Sequence, residues 1–113
     1  MVKRILSVSY DASLLSTREL LLEEAGYEVT SAHGFTDAIA QCTTARFDLF
    51  IVGHSIPTPD KQALIQTFRS NCSSPVLTLS RYGEELIKSE HCVDPFNPDE
   101  LLQAVAEAAA KSK

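Results

Sequence analysis

Phe47-Asp48-Leu49-Phe50-Ile51-Val52-Gly53-His54-Ser55-Ile56-Pro57 is the stretch that decides how this chain folds. Leu49 to Val52 is apolar at every position, with none of the alternation of a strand that has one wet face. A short unbroken run of this kind marks a strand covered on both sides, which is the situation in parallel sheets flanked by helices. It stops at Gly53. Pro57 and Pro59 then predict a loop over Gly53 to Pro59, because a proline inside a helix removes a backbone donor and clashes with the preceding turn.

Working outward, the same alternation of strand and helix recurs on both sides. Ile5, Leu6 and Val8 form a first strand ending at Ser9-Tyr10, and Asp11 is placed to cap the helix that follows. Leu14, Leu21, Leu22 and Ala25 recur at helical spacing, leaving Leu15 and Leu20 off the buried stripe, and Gly26 ends the run. Tyr27 to Ala32 alternates as a strand with one wet face. Phe35, Ala38, Ile39 and Cys42 line a second helix. Downstream, a third helix spans about Asp60 to Arg69, and Val76 to Leu79 makes a fourth strand. Gly83 to Lys88 allows only a short fourth helix, and His91-Cys92-Val93 a short fifth strand. Asn97-Pro98-Asp99-Glu100 opens a last helix with Leu101, Leu102, Val105, Ala106 and Ala109 inward; a cap residue, proline at the first helical position and acids near the positive helix end suit that start.

Alternating strands and helices with short links predict an α/β domain over residues 1–113, a doubly wound parallel sheet with helices on both faces. The first, third and fourth strands are the most apolar and belong in the middle. The second, with Glu28 and Thr30, and the fifth, with His91, suit the edges, giving five strands in the order 2-1-3-4-5. In such sheets ligands bind beyond the carboxyl ends of the strands, where the order reverses.

Composition narrows the function classes. The chain has 113 residues, 44 % of them hydrophobic and 22 % charged, and a net charge of −5. An acidic balance argues against nucleic acid or anionic membrane as partner, since both need a basic surface. No apolar run approaches a membrane span or a secretory signal, so a cytoplasmic location with reduced Cys42, Cys72 and Cys92 is expected. Neither a nucleotide-binding glycine loop nor a metal-ligand cluster is present.

In order and spacing, Ile5-Leu6-Ser7-Val8 leading into Asp11, Ala25 to Val29, Phe47 to Val52 with Pro57, Ser74 to Ser80, and Asp94 to Leu101 resemble the receiver domain of two-component response regulators, a flavodoxin-like fold. The resemblance covers essentially the whole chain. It implies an aspartate at the end of the third strand that takes a phosphoryl group, a Mg²⁺ ion held by acids at the end of the first, and a hydroxyl and a lysine that steady the product. Position by position, the acids fall on Ser9 and Tyr10, the nucleophile on Gly53, the hydroxyl on Ser80 and the lysine on Asp94. Only the hydroxyl is kept.

The expectation is therefore a degenerate receiver, not an enzyme, with no catalytic residue, no Mg²⁺ and no other cofactor. It acts in a signalling pathway by binding a protein partner or a second copy of itself. Tyr82, Leu86 and Ile87 on the shortened fourth helix are the candidate partner surface. His91 falls where the resemblance places a switch aromatic. Asp94-Pro95 is expected to be cis, and Asp94 to pair with Arg81. His54 reads as a surface residue. Two other readings stay open: a phosphoacceptor using a displaced carboxylate such as Asp11, and a small-ligand binder using the crevice where Gly53 leaves room.

Overall fold

The computed structural model of the chain describes residues 3–53, 56–71, 74–79, 91–93 and 98–110. Strands β1 (Arg4–Ser9), β2 (Glu28–His33), β3 (Leu49–Val52), β4 (Val76–Leu79) and β5 (His91–Val93) form one sheet in the order β2-β1-β3-β4-β5. All pairings are parallel. Helices α1 (Ala12–Glu24), α2 (Phe35–Thr44), α3 (Thr58–Asn71) and α4 (Pro98–Ala110) cover it.

The period of two along each strand sorts the core into two layers. Leu6, Val8, Phe50 and Val52 face Ala38 and Cys42 of α2 and Leu64, Ile65 and Phe68 of α3. Ile5, Leu49, Ile51, Leu77 and Leu79 face Leu22 of α1 and Leu101, Val105 and Ala108 of α4. Phe50 and Phe68 stack with ring centres 4.4 Å apart, and Phe47 meets Phe50 edge-on at 6.0 Å. β2 carries exposed Glu28 and His33 at the sheet's outer margin, as its polarity predicts.

Two local expectations need correction. Leu15 is buried at 5 % exposure and only Leu20, at 63 %, stands out in solvent. The helix turns so that positions 15, 18 and 22 make its inner stripe, which a reading built on Leu14 and Leu21 misses. The loop after β3 is also shorter than the prolines suggest, because α3 begins at Thr58 with Pro59 in its first turn. A proline is tolerated there since the amide it lacks has no intrahelical acceptor. The expected fourth helix, Gly83 to Lys88, and the Asp94-Pro95 bond lie outside the described residues, as do His54, Ser80, Arg81, Tyr82, Leu86, Ile87 and Asp94.

Candidate functional site at the carboxyl ends of the central strands

β1 and β3 end side by side, with Val8 paired to Val52 and the Gly53 N–H donating to the Val8 carbonyl at 2.9 Å. β4 continues the row, Val52 being paired to Thr78. Ser9, Gly53 and Leu79 therefore form the last rung of the sheet, where the crevice of a doubly wound fold opens.

Each described residue at this edge is already engaged. The buried Ser9 hydroxyl accepts the Asp11 N–H at 3.0 Å, and Asp11 in turn caps α1 by accepting from the Ser13 and Leu14 amides. The Tyr10 hydroxyl donates to Asp60 at 2.8 Å, while the Tyr10 carbonyl lies 3.1 Å from His33 Nε2. Burial, then the hydrogen bond to Asp60 and the charge on that carboxylate, push the Tyr10 phenol up to about 12. His91, as the first residue of β5, pairs with Leu77, well below the rung of Gly53.

The residues that sequence reasoning missed are cations. Arg18, on the inner stripe of α1, is 5 % exposed, and its Nη1 donates to the Ser7 hydroxyl at 3.0 Å. Burial pulls its guanidinium down to about 10. A Cβ built on Gly53 would meet the Val8 carbonyl oxygen at 2.9 Å, Arg18 Nη2 at 3.3 Å and Ser9 Cβ at 3.4 Å. Gly53 thus leaves no room of its own: the space that a side chain would enter is held by backbone and by Arg18. Lys61, 4 % exposed, reaches from α3 to the Leu79 carbonyl at 3.1 Å. Both were visible as charges on apolar stripes, Arg18 between Leu15 and Leu22 and Lys61 ahead of Leu64, Ile65 and Phe68.

Known proteins now place the fold. No protein-family model matches the chain. The transcriptional regulatory protein ResD of Bacillus subtilis is 26 % identical over 110 residues, covering 90 % of this chain and 46 % of ResD. The chain spans about half the length of the curated relatives it matches. Chemotaxis response regulator CheY4 of Vibrio cholerae superposes with a TM-score of 0.82 at 24 % identity, over 96 % of this chain and 99 % of CheY4. Response regulator TrrA of Thermotoga maritima, solved with Mg²⁺ and BeF, gives 0.84 at 23 % identity over 95 % of this chain and 99 % of TrrA. TrrA has also been solved in complex with the histidine kinase ThkA. In fold and in sequence this chain is similar to the receiver domains of two-component response regulators.

A Mg²⁺ ion of the kind bound to TrrA does not fit the described residues here. Mg²⁺ takes carboxylate and water oxygens in a near-octahedral shell. The end of β1 offers a serine hydroxyl and a phenol, and the place beside Gly53 holds a guanidinium whose charge repels a cation. Among the described residues no three of His, Cys, Asp and Glu come together as a metal site.

Proposed function

We propose that this domain is a receiver-like signalling module that works by binding a protein partner, or a second copy of itself, without taking a phosphoryl group at the end of β3. The observation that carries the reading is the pairing of Gly53 with Arg18. Aspartyl phosphorylation needs a carboxylate oxygen as nucleophile and a metal to neutralise the phosphoryl group. At this position there is no side chain, and a Cβ would already press on the Val8 carbonyl.

The described neighbouring carboxylates do not favour a displaced acceptor either. Asp11 is committed to two amides of α1, and Asp60 accepts from Tyr10. Leaving those roles would uncap a helix and strand a half-buried phenol. By position in the sequence, Ser80 keeps the hydroxyl that the resemblance implies, and Asp94 brings a negative charge where it implies a lysine. In this reading Tyr82, Leu86 and Ile87 are the candidate partner surface, and His91, the first residue of β5, is the switch-like position.

The test is an amide NMR titration with beryllofluoride and Mg²⁺. Unchanged resonances for Ser9, Gly53 and Val52 are expected. Saturable shifts centred on Gly53 would overturn the proposal.

A further inference from the structure

Tyr10 is held from two sides, and the two holds lie on different elements. Its hydroxyl donates to the Asp60 carboxylate of α3 at 2.8 Å. Its carbonyl lies 3.1 Å from His33 Nε2 at the end of β2. A carbonyl can only accept, so the His33 ring carries a proton on Nε2 in this contact. The Tyr10 side chain itself packs, partly buried, on the layer that contains Ile56, Leu64 and Phe68.

Backbone hydrogen bonds extend each hold. The Gly34 N–H donates to the Ser9 carbonyl at 3.2 Å, so the β2–α2 turn hangs on Ser9 and Tyr10 together. Asp37 accepts the His33 N–H at 3.1 Å and closes that turn onto the start of α2. On the other side, the Lys61 N–H donates to the Pro57 carbonyl at 2.9 Å and sets Asp60 within the first turn of α3. A hydrogen bond to an ionised acceptor is about twice as strong as one between neutral groups. A half-buried hydroxyl that loses such a partner is left with an unmet donor. Moving the first turn of α3 therefore breaks the bond or draws Tyr10, and the β2–α2 turn with it.

We propose that Tyr10 is a two-ended latch that makes the β2–α2 turn and the first turn of α3 open and close as one unit. In the open state the Tyr10 hydroxyl has left Asp60 and both turns are loosened, while the sheet stays paired. Such a unit is a local unfolding step below the global one. Whatever holds one turn is then felt at the other, which is a coupling free energy between two places on the molecule. The latch stands apart from the partner-binding reading, and either can fail while the other holds.

The experiment is native-state hydrogen exchange of the ¹⁵N-labelled protein, followed by NMR over a series of low urea concentrations. The amides of Gly34 and Lys61 report the two turns, and that of Phe50, bonded to the Pro75 carbonyl, reports the sheet. Gly34 and Lys61 should share one opening free energy, with a urea dependence well below that of Phe50. In Tyr10→Phe both should exchange about tenfold faster by equal factors, the loss expected for one hydrogen bond to a charged group. Asp60→Ala should do the same, and the double variant no more than either, because one bond has been removed. Asp60→Asn, which keeps the shape and an acceptor without the charge, should speed both amides by a smaller, equal factor and carries the comparison should the alanine variant not fold. Separate opening free energies, exchange of both amides only through global unfolding, or acceleration confined to Lys61 would overturn the proposal.

Discussion

Gly53 is defined by its neighbours more than by its own flexibility. The Val8 carbonyl oxygen 2.9 Å from an added Cβ belongs to the backbone and accepts the Gly53 amide, so it cannot turn aside as a flexible side chain would. Gly53→Ala should therefore destabilise the domain by about 1–3 kcal/mol, the usual cost of forcing one extra carbon into a packed place. Urea unfolding measures this, and a variant as stable as the parent would show that the rung has slack. Tyr10 carries a second prediction. Its folded pKa of about 12 stands above the ordinary 10.0, so its contribution to stability is complete below pH 10 and is lost as the pH climbs towards 12. Ultraviolet titration of tyrosinate, compared with Tyr10→Phe, should assign to Tyr10 a late-ionising phenol among the three tyrosines. Ionisation of that phenol near 10 would contradict it.

Elements were legible where one kind of residue repeats at one period. The unbroken Leu49–Val52 run and the cap at Asp11 announce β3 and the start of α1, and both are found where the residues place them. The inner stripe of α1 was less legible. Leu14, Leu15, Leu20, Leu21 and Leu22 offer several overlapping apolar faces, and the true one includes an arginine, a residue that sequence patterning assigns to solvent. The start of α3 was misread for a related reason: Pro59 excludes a helix interior but not a first turn. The inner face of α3 is bound to β3 by the Phe50–Phe68 stack. Phe68→Ala should cost about 3–5 kcal/mol through lost burial and a residual cavity, seen as a lower urea midpoint with an unchanged slope. A loss below about 1 kcal/mol would mean that the layer re-forms around the gap.

For the whole molecule, the alternation of elements was enough to give a parallel sheet with helices on both faces, because short links leave little topological choice. The character of the crevice was not legible in the same way. Net charge averages over the surface and says nothing of two buried cations, and a glycine in a sequence does not tell whether the space beside it is open or filled. Only packing brings Arg18, separated by a helix and two strands from Gly53, against it. The resulting molecule is similar in fold to response-regulator receivers, and the proposed reading turns on the Arg18 guanidinium that stands beside Gly53. Intact-mass spectrometry after incubation with acetyl phosphate and Mg²⁺ tests this most directly. The account predicts an unmodified chain; stoichiometric gain of one hydroxylamine-labile phosphoryl group would contradict it.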